Sequence, residues 1–217
     1  MSYVLPPPAI PSVAVHGRGD ARFAVRRIYC VGRNYVEHAQ EMGFTGREPP
    51  FFFMKPADAL LAEGEGEVGA MHYPSLTHDL QHEVELVVAI GIGGRDIAAQ
   101  DALSHVFGYA VGLDMTRRDL QGEAKNQGRP WCIGKAFDEA APIGTLRPAA
   151  ECRIGADTEI RLDVNGATRQ RSTLGKLIWS APEVIEHVSK ARMLAAGDLI
   201  YTGTPAGFPG SYASPAS

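Results

Sequence analysis

The sequence predicts a mixed α+β fold, rich in β-strand, with short helices. Three observations carry that expectation. Apolar runs of strand length recur along the chain, closed by Gly, Pro or a charged residue. The stretch "DTEIRLDVNGATRQR" alternates through Ile160, Leu162 and Val164 into Asn165-Gly166, a pair that suits a two-residue type I′ hairpin. Strands do not alternate regularly with helices, as they would in a doubly wound parallel sheet.

In chain order, Pro6, Pro7, Pro8 and Pro11 predict an extended N-terminal arm over residues 1–25. "RRIYCVGRNY" gives a strand over Ile28–Val31 that ends at Gly32. "VEHAQEMG" reads as a short helix stopped by Gly43, and "FTGREPP" as a loop. "FFFMK" is a strand closed by Pro56, and "HEVELVVAIG" another. "DALSHVFGYAVGLDMT" is a short helix feeding a strand through Tyr109–Leu113. Ser180 and Glu183 form a capping box that opens the helix "PEVIEHVSKAR". Gly197-Asp198 then turns into the strand "LIYTG".

The 217 residues suffice for one domain, 1–217, without repeats or a low-complexity linker. A net charge of −4 and a pI near 6.0 supply no basic surface for nucleic acid or anionic membrane. No apolar run reaches the ~20 residues of a membrane span. The start "MSYVLPPPAI" lacks the regions of a signal peptide. Cys30, Cys132 and Cys152 are few and far apart, which argues against a zinc ribbon or disulfide framework and for a reducing cytoplasm.

The strand at 82–91 carries an anomaly. Glu83 and Glu85 stand two apart, so both carboxylates leave one face of an otherwise apolar strand. Like charges so close repel and raise each other's pKa. A hard divalent cation, which prefers oxygen ligands, would relieve that. Asp114 closes a second apolar strand in "YAVGLDMT", and three acids on adjacent strand ends can form an octahedral half-site. The competing reading is an exposed edge strand whose acids pair with Lys or Arg.

Four further features carry chemistry. His38 and Glu41, three apart, share one helical face; the acid can orient the imidazole as a general base, or the two form an ordinary surface pair. Arg118 and Gln121 follow Asp114 by four and seven, so one helical turn aims their donors together. Lys135 ends the apolar piece "WCIG", which predicts an ammonium at a strand end. "TGTPAG" offers Gly203 for close backbone approach and the Thr204 hydroxyl as a donor; it lacks the spacing of a phosphate loop.

The stretches "YCVGRNYVEHAQEMG", "PPFFFMKPADAL", "HEVELVVAIG", "GYAVGLDMTRRDLQ", "GRPWCIGKAFD" and "GDLIYTGTPAG" resemble, in order, the fumarylacetoacetate hydrolase family. The resemblance is closest to its small bacterial fumarylpyruvate and acylpyruvate hydrolases. It implies a β-rich roll or sandwich, a homodimer, and Glu83, Glu85 and Asp114 as ligands of Mg²⁺ or Mn²⁺. It implies His38 and Glu41 as a base dyad on a lid, Lys135 directed at the substrate oxo group, and Arg118, Gln121, Gly203 and Thr204 as substrate contacts. The implied reaction is carbon–carbon cleavage of a small 2,4-dioxo acid, fumarylpyruvate to fumarate and pyruvate in gentisate-type aromatic breakdown. Oxaloacetate decarboxylation or tautomerisation on the same site is the alternative. Arg33 or Arg117 near the pocket would favour a substrate with a distal carboxylate. Relatives continue through further β structure where this chain ends in "FPGSYASPAS". A further alternative is a truncated, catalytically impaired family member, its roll left open after about residue 207.

Overall fold

The computed structural model describes residues 3–35 and 47–207. The helix expected at "VEHAQEMG" and the tail "FPGSYASPAS" lie outside the described residues. Its organising element is a six-stranded mixed sheet. The strands are β1 (Arg27–Gly32), β2 (Phe51–Lys55), β3 (Val84–Ile90), β4 (Val106–Leu113), β5 (Arg147–Pro148) and, from the end of the chain, β8 (Asp198–Tyr201). Across the sheet they run β5-β4-β3-β8-β1-β2, parallel between β8 and β1 and antiparallel elsewhere. The expected hairpin forms outside this sheet, from β6 (Glu159–Val164) and β7 (Ala167–Thr173). Its turn residues Asn165 (φ 52°) and Gly166 (φ 77°) are both left-handed, as a type I′ turn requires.

The sheet is covered on both faces. Val84, Leu86, Val88, Ile90 and Ile200 face one cluster with Val184, Ile185 and Val188. Val87, Ala89, Leu199 and Tyr201 face the other with Ile28, Cys30 and Leu146. Burial on both sides explains why β3 reads as a nearly continuous apolar run. Each buried Val, Leu or Ile among them contributes roughly 1.5–3 kcal/mol by leaving water.

Three short α-helices lie among the described residues, besides short 3-10 turns: α1 (Arg118–Asn126), α2 (Cys132–Lys135) and α3 (Ala181–Ala191). At the start of α3 the Glu183 carboxylate accepts the Ser180 N–H at 2.9 Å and its hydroxyl at 2.7 Å, the expected capping interaction. The amphipathic spacing then buries Val184, Ile185 and Val188 in the first cluster.

Two expectations need correction. Extended chain without pairing stops short of residue 25: Ser12–Ala14 pairs antiparallel with Arg22–Ala24, and His16 N–H donates to the Leu146 carbonyl at 2.8 Å. Lys135 ends a helical turn, not a strand. Lys135 N–H donates to the Trp131 carbonyl at 2.9 Å and Ala136 N–H to Cys132 at 2.7 Å. A four-residue apolar piece has no period that separates the two structures. Packing decides it here, because a Cβ on Gly134 would lie 2.7 Å from Gln121 Cβ, so α2 closes directly on α1.

Candidate metal centre and catalytic site

Strand register assembles the acids. In the antiparallel pair, Val84 stands opposite Leu113, so the next step puts Glu83 opposite Asp114. Asp114 N–H donates to the Glu83 carbonyl at 2.8 Å and fixes that step. On the other side Tyr201 stands opposite Val87, and the same register carries Gly203 to Glu85. There Gly203 N–H donates to Glu85 Oε2 at 2.7 Å. Gly203 has φ 102°, and a Cβ would sit 2.6 Å from Asn34 Cβ, so only glycine fits this approach.

The three carboxylates are buried, each offering an oxygen within 4.8 Å of the others. Cations surround two of them. Lys135 Nζ donates to Glu83 Oε2 at 2.8 Å and Asp114 Oδ2 at 2.6 Å. Arg118 bonds Glu83 through Nη2, Gln81 through Nε at 2.9 Å and Gln121 through Nη1 at 3.2 Å. Lys55 Nζ stands 2.8 Å from Asp114 Oδ1. No cation among the described residues lies within ion-pair distance of Glu85.

The electrostatics follow from that division. Burial would raise the Glu83 carboxyl, but Lys135 and Arg118 outweigh it and hold Glu83 far below the carboxylate range. Burial raises Glu85 well above that range, and the neighbouring Asp114 and Glu83 charges add to the rise. Burial opposes the Lys135 charge, yet Asp114 and Glu83 keep its pKa above the ordinary value. Among the described residues Glu85 is therefore the acid of the three whose ionised form is least compensated, since Lys135 and the Gly203 N–H favour it but do not outweigh burial and its acidic neighbours.

This donor set fits a hard divalent ion. All three ligands are carboxylate oxygens, the preference of Mg²⁺ and Mn²⁺. Asp114 Oδ1 takes no hydrogen bond, although Lys55 pairs with it by charge. The space that the three acids line with Arg118, Gln121 and Thr204 is about 30 Å³, room for an ion and a small group beside it.

A much larger cavity of about 570 Å³ adjoins it. Arg33, Phe53, Trp131 and Lys135 line both spaces. Among the residues expected to act together, the structure thus brings Glu83, Glu85, Asp114, Lys135, Arg118, Gln121, Gly203 and Thr204 to one place. His38 and Glu41 lie outside the described residues. Of the two arginines expected near the pocket, Arg33 lines it, whereas Arg117 lies over the Phe137 ring at 4.4 Å.

Two buried residues escaped the sequence reading. Lys55 closes the strand "FFFMK", and a lysine ending so apolar a run was the available signal. Gln170 accepts Val84 N–H at 2.8 Å and donates to Thr204 Oγ1 and the Pro205 carbonyl, each at 2.9 Å. It ties the hairpin to both strands of the site, and nothing local in "ATRQRST" marks it.

Comparison with known proteins places this arrangement in context. A family model described as "Fumarylacetoacetate (FAA) hydrolase C-terminal" matches residues 27–216. The chain is 51% identical to a fumarylpyruvate hydrolase from Pseudomonas aeruginosa, solved in complex with Mn²⁺ and pyruvate. That superposition covers 97% of this chain and 90% of the other, with a TM-score of 0.93. It is 39% identical to a mitochondrial oxaloacetate decarboxylase of Dictyostelium discoideum, over 84% of this chain and 82% of that protein. It is 40% identical to a mitochondrial oxaloacetate tautomerase of Arabidopsis thaliana, over 83% of this chain and 79% of that one.

Proposed function

The chain belongs to the fumarylacetoacetate hydrolase family, and on that footing we propose that it is a divalent-metal-dependent hydrolase of 2,4-dioxo acids, cleaving fumarylpyruvate to fumarate and pyruvate. The observation that carries this reading is the buried Glu83–Glu85–Asp114 cluster, bordered by Lys135 and Arg118. Glu83, Glu85 and Asp114 would hold Mg²⁺ or Mn²⁺, which would supply Lewis acidity to the oxo-acid end of the substrate.

Hydrolysis adds water oxygen to C4, breaks the C3–C4 bond and leaves its electron pair on C3, which is then protonated to give pyruvate. The chain must therefore stabilise an enolate, remove a proton from water and hold the substrate carboxylate. Lys135 is a cation already fixed beside two of the acids, and its ammonium stabilises the negative oxygen that develops on the leaving enolate. Arg118, Gln121 and Thr204, lining the same space, supply donors to the 1-carboxylate. In this reading Gly203 positions Glu85, His38 takes the proton of water, and Glu41 orients the imidazole.

A second reading keeps the same residues and changes the reaction. The oxaloacetate decarboxylase and tautomerase names of two relatives favour it, since both reactions pass through a pyruvate-type enolate. Our reading further includes a cytoplasmic homodimer acting in aromatic-compound breakdown.

The test is pyruvate release from fumarylpyruvate, acetylpyruvate and oxaloacetate after chelation and re-addition of Mg²⁺ or Mn²⁺. Metal-dependent release from the 2,4-dioxo acids supports the hydrolase. Turnover of oxaloacetate alone supports the second reading instead.

A further inference from the structure

The 570 Å³ cavity beside the acid cluster has a composition unlike its neighbour's. Among the described residues its lining holds Arg33, Lys125, Arg129 and Lys135 and no Asp or Glu. In a chain of net charge −4, that is a local reversal of sign. One wall is aromatic: Trp131 meets Phe51 edge-on at 5.2 Å and Phe53 at 5.7 Å between ring centroids.

Backbone conformation singles out one of these cations. Arg33 adopts φ 59°, a left-handed value uncommon for a residue with a side chain. Such a conformation persists where the surroundings over-determine it, often at ligand sites. Its guanidinium lies 5.1 Å from the centroid of the Phe51 ring. Burial lowers the Lys125 pKa, and the positive charges of Arg33 and Arg118 lower it further. Glu48 acts on Arg33 from outside the lining. The cations are thus crowded, and an anion entering among them relieves their repulsion.

We infer that this cavity is a subsite for the distal half of the substrate, with Arg33, Lys125 and Arg129 receiving a terminal carboxylate and Phe51, Phe53 and Trp131 flanking a planar unsaturated chain. The inference rests on the reading above that the acid cluster holds the oxo-acid end. The residues shared by the two spaces let one molecule reach both. A 2,4-dioxo diacid then satisfies both ends, a neutral acylpyruvate only one. The four-carbon oxaloacetate is too short to extend its second carboxylate far into the cavity.

The test compares two unreactive ligands of equal length, 2-oxoadipate and 2-oxohexanoate, which differ by a terminal carboxylate against a methyl group. Calorimetry on the full chain with saturating Mg²⁺ is expected to show the diacid binding about tenfold tighter, the worth of a charge-assisted contact. In the Lys125→Gln/Arg129→Gln variant that ratio falls to near one. A ratio taken within one preparation is insensitive to the fraction of protein that is folded. A wild-type ratio near one, or an unchanged ratio in the variant, overturns the subsite. Pyruvate release fails or succeeds separately: loss of that activity with the ratio intact sinks the hydrolase reading and leaves the dianion subsite standing.

Discussion

Lys55 and Asp114 form an ion pair shut away from solvent, with Nζ 2.8 Å from Oδ1 and side chains 0% and 1% exposed. The same ammonium donates to the Met115 carbonyl at 3.1 Å and to the Lys135 carbonyl. One positive charge therefore fixes an acid of the candidate metal centre, the chain that follows it, and the helical turn that carries Lys135. Lys55 is a positioning residue.

Replacing Lys55 by Met leaves the Asp114 charge buried with one partner fewer. Breaking a buried pair from one side costs roughly 3–5 kcal/mol. Urea denaturation of the metal-free Lys55→Met variant is expected to show a loss of that order. Adding Asp114→Asn should recover part of it, the signature of direct coupling. A single-variant loss under about 1 kcal/mol would remove Lys55 from this role.

Gly203→Ala forces a Cβ to within 2.6 Å of Asn34 Cβ at a left-handed φ of 102°. The loop must shift, and with it the N–H that binds Glu85. The expected result is a stability loss of about 1–3 kcal/mol together with weaker Mn²⁺ binding. Denaturant midpoints and a metal titration measure the two effects. Loss of stability with metal affinity intact would make Gly203 a packing residue only.

His82 sets a pH dependence. Burial, and then the Arg169 charge, push its imidazole down to about 4 from an ordinary 6.5, against a smaller upward pull from Glu83. Below pH 6.5 the unfolded chain gains a proton here that the folded chain refuses until about pH 4. Stability thus falls as pH drops through that window, by up to roughly 3 kcal/mol from this group. Denaturation of metal-free protein is expected to show a flatter slope between those values in His82→Gln than in the wild type. Parallel slopes would contradict the account.

His38→Ala is expected to lower kcat by roughly 10² to 10⁴ while 2-oxo acid binding persists, the usual worth of a positioned base. Stopped-flow turnover and calorimetry on the same preparation separate the two. Equal losses of binding and turnover would assign His38 a structural part.

What the sequence disclosed depended on how local the cause was. The Asn165-Gly166 hairpin and the Ser180–Glu183 cap were legible because their determinants lie within a few residues. Glu83, Glu85 and Asp114 were legible as anomalies, acids where apolar strands end, although their convergence depends on the β3–β4 register. The helical turn that carries Lys135 is not legible, because four apolar residues have no readable period and the deciding contact, Gly134 against Gln121, is tertiary. Gln170 stayed hidden because its partners Val84 and Thr204 come from distant strands. The division of charge at the site, with Glu83 neutralised and Glu85 not, could be seen only once Lys135 and Arg118 were in place.

That division supplies the most direct test of the metal centre. Glu85→Gln removes the acid that burial and its acidic neighbours raise, so it relieves repulsion in the metal-free protein while deleting a ligand. Titrating Mn²⁺ by calorimetry is expected to give one ion per chain for the wild type and at least about 100-fold weaker binding for the variant, whose metal-free melting temperature equals or exceeds the wild type's. Unchanged Mn²⁺ affinity in Glu85→Gln would contradict the assignment of this cluster as the metal site.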